Sequence, residues 1–216
     1  MGRDTMAAIE RGETPFDIAA REAHVIGPGP RIAALTGDAV DVGALDLVNA
    51  VRAGAGAQSV TPDKIPDYMR TMMKHPDIFA RQMEMGTAIF EGRIPRRERE
   101  LAILRIGWLC RAPYEWGQHV DIAKRFGVSA QEVERVTRGS VDPGWTRHEK
   151  AILQGVEELI GDHAMTDETW AVLAETWDEA QLIEYPMMVG QYVATAYVQN
   201  SLRIMLTDGN PGLSHR

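Results

Sequence analysis

The sequence predicts an all-α protein, and three observations carry that prediction. From Gly43 onward apolar residues recur at helical spacing, segment after segment. Proline, glycine and capping residues punctuate those segments at their ends. No run of alternating apolar and polar residues is long enough to need a sheet. With 216 residues, 44% of them apolar, the chain can bury one core without a disulfide or a structural metal.

Residues 1–43 read as an extended arm, rich in turn-formers, with Gly27-Pro28-Gly29-Pro30 in its middle. Leu45, Val48 and Arg52 begin a first helix that Gly54 and Gly56 end. Pro66 opens a second, with Tyr68, Met69, Met72 and Met73, and His75-Pro76 breaks it because the residue before proline disfavours the α region. A third starts at Asp77, sets Phe79, Met83, Gly86 and Phe90 on one stripe, and stops at Gly92. Pro95 opens a fourth through Cys110, apolar nearly all round and therefore central.

Pro113 opens a fifth helix ending at Gly127. Ser129 with Glu132 and Thr146 with Glu149 form capping boxes for the sixth and seventh. Thr166 caps an eighth, and Asp178 with Gln181 caps a long ninth that Pro186 is expected to kink. About nine helices thus fill a domain over residues 44–208, followed by a tail over 209–216. The stripe Met187, Met188, Val189, Tyr192, Val193 and Ala196 on the ninth helix reads as core.

Charge and cysteine count narrow the function. Thirty-one acidic residues against 23 basic ones give a net charge of -8, which argues against nucleic acid as a partner. No apolar run approaches the roughly 20 residues that span a bilayer, and the N-terminus shows no signal-peptide core, so no membrane partner and a cytoplasmic location are expected. Gly2 invites a myristoylation reading, which Met6 contradicts. A single cysteine excludes an internal disulfide and any CxxC redox pair.

The chemistry-bearing residues cluster between Arg93 and His119. Glu115 and His119 stand one helical turn apart on one face, so the carboxylate can orient the imidazole and raise its pKa. The plain alternative is an ordinary surface pair at i,i+4 spacing. Gly117 between them, with Tyr114 and Trp116 alongside, favours a cleft. Glu100 fits the first turns of its helix as an acidic residue near the macrodipole's positive end. If the fourth and fifth helices fold back as a hairpin, it comes within about 8 Å of the level of His119.

The arginines at 93, 96, 97, 99, 105 and 111 form a basic group whose members are solvated, paired with neighbouring glutamates, or drawn to an anionic substrate. Three potential ligands, Glu100, Glu115 and His119, make a weak metal signal without HExxH or facial-triad spacing, so no metal is expected.

Arg97-Glu98-Arg99-Glu100-Leu101 and Tyr114-Glu115-Trp116-Gly117-Gln118-His119 resemble the carboxymuconolactone decarboxylase family, whose members share the all-helical AhpD-like fold. The resemblance covers roughly residues 45–205. It implies an AhpD-like domain, a homo-oligomer and a cofactor-free enzyme. Alkylhydroperoxidase D members of the family use a CxxCxxxH motif with an upstream glutamate as a proton relay. By position, His119 matches the motif histidine and Glu100 the upstream glutamate, whereas Ala112 and Glu115 stand where the cysteines would be.

A thiol peroxidase needs an attacking and a resolving thiol, and neither position carries sulfur. What remains is a proton-transfer set of Glu100, Glu115 and His119, with Tyr114, Trp116 and Arg97 as expected substrate-binding residues. The expected activity is that of a lyase or isomerase, acting without a cofactor on a small anionic carboxylate or lactone of the kind met in aromatic catabolism. A peroxidase-related protein, which would require a reactive Cys110, and a non-catalytic helical binding protein are the alternatives.

Overall fold

The computed structural model describes residues 16–206 and 209–216. Among the described residues there are ten α-helices and no strand. They are α1 (Ile18–Ile26), α2 (Val42–Gly54), α3 (Asp67–Met72), α4 (Pro76–Phe90), α5 (Arg96–Leu109), α6 (Pro113–Arg125), α7 (Ala130–Arg138), α8 (Arg147–Gly161), α9 (Asp167–Ala174) and α10 (Glu179–Leu202). The capping boxes of Ser129 with Glu132, Thr146 with Glu149 and Asp178 with Gln181 all form, and Thr166 accepts from the amide of Thr169. The ninth expected helix, α10, runs through Pro186 as one continuous element.

Helix α5 is central: every residue from Arg99 to Leu109 is buried, the charged Arg99, Glu100 and Arg105 included. It packs against α6, α7, α8 and α10. Ala102, Ile103 and Ile106 enter one core with Ile152, Leu173, Tyr185 and Met188, while Leu101, Leu104 and Trp108 enter another with Trp116, Val120 and Val136. A third core joins α2 to α4 through Val48, Val51, Phe79, Met83 and Phe90.

The described part of the N-terminal segment is built differently from the expected extended arm. Residues 1–15 of the arm, including the Gly2 and Met6 positions, lie outside the described residues. The next stretch forms α1, capped by Asp17, and not an extended strand of turns. Its short length and single buried residue, Val25, leave little periodicity to read. Phe16 packs on Trp108, with ring centroids 5.1 Å apart.

The tail docks against α6. Leu213 is fully buried, Trp116 Nε1 donates to the His215 carbonyl at 3.0 Å, and Glu22 of α1 accepts from the Leu213 amide at 2.6 Å. Gly117 makes this possible. A Cβ there would fall 1.6 Å from Asn210 Oδ1, so the missing side chain makes room for the tail and not for a cleft.

Three charged side chains of α5, Arg99, Glu100 and Arg105, are buried, and each is paired. Arg105 Nε donates to Glu157 at 2.9 Å, and its Nη1 donates to the carbonyls of Val136 and Thr137. Glu157 also accepts from the Ser140 amide at 2.9 Å. Removing one member of such a pair strands a buried charge. Glu157→Ala is therefore expected to lower stability by about 3–5 kcal/mol, and Arg105→Met combined with Glu157→Leu to recover most of the loss. Urea denaturation midpoints of the three proteins check this.

Candidate active site

Helices α5 and α6 form an antiparallel hairpin through Cys110-Arg111-Ala112, with Arg111 in the left-handed region at φ 48°. Pro113 starts α6 because its fixed φ suits a first turn that needs no amide donor. The fold-back brings Glu100 and His119 into direct contact, with Nδ1 2.7 Å from Glu100 Oε2. On the other side of the ring, Nε2 lies 3.2 Å from Glu115 Oε1. The imidazole is thus held between two carboxylates, one from the preceding helix and one from the preceding turn of its own.

Surrounding groups fix that arrangement. Arg99 Nε donates to Glu100 Oε1 at 3.1 Å, and its Nη1 donates to the Phe90 carbonyl at 3.1 Å. The same guanidinium lies 4.4 Å from the centroid of the Phe90 ring, which stacks nearly parallel to His119. Tyr192 meets the imidazole edge-on at 5.1 Å. Gln199 Nε2 donates to the second oxygen of Glu115. Arg99, Glu100, Glu115 and His119 are all at least nine-tenths buried.

Burial pulls the pKa of His119 down, but the charge of Glu100 and the hydrogen bonds to both carboxylates outweigh it and push the ring up to about 9. His119 is therefore an imidazolium at neutral pH, donating from both nitrogens. Two positive and two negative groups then balance within the cluster, which is what makes their joint burial tolerable.

Glu115 and His119 form part of the wall of a cavity of about 200 Å³ enclosed by α2, α3, α4, α6 and α10. Glu100 does not line it and stands behind the ring. Tyr68, Tyr114 and Tyr192 line it too. Burial first, and the Glu115 charge second, raise the phenols of Tyr68 and Tyr114 well above the ordinary range. Tyr192 is raised in the same way by burial, then by Glu100 and Glu115. All three keep their protons. Tyr68 accepts from Gln82 Nε2, which also donates to Thr195 Oγ1 at 3.2 Å.

Of the residues expected from sequence, Glu100, Glu115, His119 and Tyr114 come together here. Trp116 and Arg97 do not. Trp116 points into the core beside Trp108, and Arg97 bridges Glu132 and Glu149 at the ends of α7 and α8. Arg99, read as one of a basic group paired with neighbouring glutamates, does pair with Glu100, whereas sequence reading missed Tyr68, Gln82, Tyr192 and Gln199 as cavity residues. Tyr192 and Gln199 are seven residues apart on one face of α10, a spacing that looks identical in a core stripe. Cys110 lies at the end of α5, where burial and then the Glu115 charge push its thiol up to about 12. Both ring nitrogens of His119 face carboxylates, and among the described residues no three His, Cys, Asp or Glu side chains stand as a metal-holding group.

Fold and site together define an AhpD-like helical protein with a carboxylate–imidazole–carboxylate centre on its cavity wall. Over residues 76–158, from α4 into α8, the chain matches the model of the Carboxymuconolactone decarboxylase family, and both motifs that carry the resemblance lie within that stretch. No curated protein matches the sequence. The AhpD core of an uncharacterised peroxidase-related protein from Ralstonia eutropha superimposes with a TM-score of 0.70 at 14% identity, covering 83% of this chain and 93% of that one. The debrominase Bmp8 superimposes with a TM-score of 0.62 at 17% identity, covering 82% and 92%. A variant of that debrominase in complex with 2,3,4-tribromopyrrole gives 0.65 at 15% identity, covering 82% and 91%. At these identities the likeness is one of fold.

The raised pKa of His119 makes a pH dependence with a definite sign. The imidazolium's contribution to stability is complete below the ordinary value of 6.5 and is lost as pH rises through about 9. The His119 ring resonances are expected to titrate near 9 by NMR, and Glu100→Gln is expected to bring that midpoint down.

Proposed function

We propose that the protein is a cofactor-independent acid/base enzyme of the carboxymuconolactone decarboxylase type, a lyase or isomerase that acts on a small carboxylate or lactone. The observation that carries this reading is the buried Glu100–His119–Glu115 relay, with Glu115 and His119 on the cavity wall and Glu100 behind them.

The relay suits a reaction through an enolate. Loss of CO2, or removal of a proton beside a carbonyl, leaves an electron pair that delocalises onto the carbonyl oxygen. The protonated hydroxyl of Tyr192 supplies a hydrogen-bond donor for that oxyanion. In a proton abstraction Glu115 is the base. In reprotonation at carbon, the imidazolium delivers a proton through Glu115, and Glu100 holds the positive ring in place while Arg99 holds Glu100. No electron transfer is required.

A thiol-peroxidase reading, suggested by the names of structural neighbours, would need Cys110 as a thiolate. Its pKa near 12 and the absence of a second cysteine weigh against that. Self-association is a further part of the proposal. Ile183, Met187 and Tyr197 are 68%, 54% and 64% exposed on one face of α10, with Gly190 and Ala194 between them, so Met187 leaves the core stripe expected for this helix. Such a stripe of large apolar residues around small ones fits a second copy of the chain. Within the described residues no helix is long and apolar enough to cross a membrane.

Turnover can be sought with small β-keto carboxylates and lactones, following CO2 release and solvent deuterium uptake by NMR. His119→Ala and Glu115→Gln are each expected to lower kcat by about 10²–10⁴, and circular dichroism of each variant separates that loss from the stability cost of unbalancing a buried charge cluster. Undiminished turnover in His119→Ala rejects the relay. Light scattering is expected to give an oligomer for the native chain and a smaller species for Met187→Asp/Tyr197→Asp.

A further inference from the structure

The cavity mouth carries two arginines that the proton relay does not use. Arg52 lies in the last turn of α2 and Arg125 ends α6; both line the cavity, Arg52 half-buried and Arg125 exposed, whereas Glu115 and His119 on its inner wall are buried. Each alone has a simple explanation, since a cation in the last turn complements the helix macrodipole. Their meeting at one opening does not. Burial lowers the pKa of Arg52, and the neighbouring Arg125 charge lowers it further, so the two guanidinium groups feel each other.

Other arginines near the site have carboxylate partners: Arg97 with Glu132 and Glu149, Arg99 with Glu100, Arg105 with Glu157. Arg52 is tied only through Nε to the Gln58 carbonyl at 2.9 Å, and neither it nor Arg125 forms an ion pair among the described residues. Asp121, the exposed carboxylate on the same rim, is bound to His215 Nε2 at 2.8 Å. Tyr114 adds a third group. Its hydroxyl remains protonated, lines the same cavity, and is close enough to Arg52 for each to shift the other.

We propose that Arg52, Arg125 and the Tyr114 hydroxyl form a carboxylate-binding subsite at the cavity mouth, which orients a ring-sized acid with its anionic end outward and its reacting carbon toward Glu115. This rests on the acid/base reading for the inner end only. Charge sets the direction: at the inner wall the Glu115 carboxylate and the His119 imidazolium offset each other and give an anion no net attraction, whereas the two guanidinium groups draw it to the rim. Size agrees as well. A cavity of about 150 Å³ accommodates benzene, and this one measures about 200 Å³. The carboxylate held at the mouth is accordingly a spectator, retained by the substrate through the reaction and used for selection.

Binding tests this without turnover. Benzoate and its neutral isostere benzyl alcohol are titrated into the full-length protein at low ionic strength by ligand-observed NMR, with native protein, Arg52→Gln, Arg125→Gln and the double variant. Circular dichroism checks the fold of each. Benzoate is expected to bind more tightly than benzyl alcohol, to weaken about tenfold for each arginine removed, and to weaken with added salt. Benzyl alcohol is expected to bind all four proteins alike. The Arg52→Lys/Arg125→Lys variant, which keeps the charges, is expected to retain part of the preference.

Failure of benzoate to bind, or an equal affinity for benzoate in the native and double-variant proteins, overturns the subsite. The two readings separate cleanly. If the relay is not catalytic, the benzoate preference persists without turnover. If the subsite is wrong, the double variant still turns over anionic substrates with unchanged KM.

Discussion

Helix α5 lies in the middle of the molecule with Arg99, Glu100 and Arg105 among its buried side chains, and a charge so placed must find a partner or lose its ionisation. Arg105 meets that demand through Glu157, which reaches in from α8 and is itself held by Ser140. Arg99 and Glu100 meet it by pairing with each other and, through Glu100, with His119 of the next helix. These contacts fix α5 against α6 on one side and α8 on the other. The register that results is also the register of the site.

The same constraint explains why the imidazole is charged. A lone buried histidine would be neutral, because burial disfavours the cation. Glu100 at Nδ1 and Glu115 at Nε2 reverse the balance, and Arg99 offsets the second negative charge. The outcome is a compact, nearly neutral assembly that can hold a proton in reserve at a cavity wall. Its open end is formed by Glu115, the residue standing where a thiol chemistry would place sulfur. The same cavity is lined by Arg52 and Arg125, which have no ion pair among the described residues, so its unbalanced charge is positive and lies away from the relay.

Much of this was legible in the chain. The proline and glycine breaks and the capping residues Ser129, Thr146, Thr166 and Asp178 marked helix ends that the structure reproduces, because those signals act through the few residues beside them. The pairing of Glu115 with His119 was readable for the same reason. Helix α1 was not, since its nine residues bury only Val25 and take their place from the docked C-terminal turn. Gly117 was read correctly as a place where bulk is missing, but the neighbour that needs the space is Asn210, 93 residues away in the chain (210 − 117). Trp116 and Arg97 stand close in sequence to His119 and Glu100, but helix geometry turns both toward other partners.

The sequence by itself determined the helical class, the order of the main helices, the single cysteine that leaves no thiol pair, and the one-turn spacing of Glu115 and His119. Those properties are local or compositional, and no packing can change them. Only the tertiary structure decided that Glu100 touches the ring, that Arg99 and Gln199 hold the two carboxylates, and that the arginines facing the cavity are Arg52 and Arg125 and not the dense group around Arg97. Each of these depends on which faces of separate helices meet, and that is set by the summed burial of side chains throughout the core.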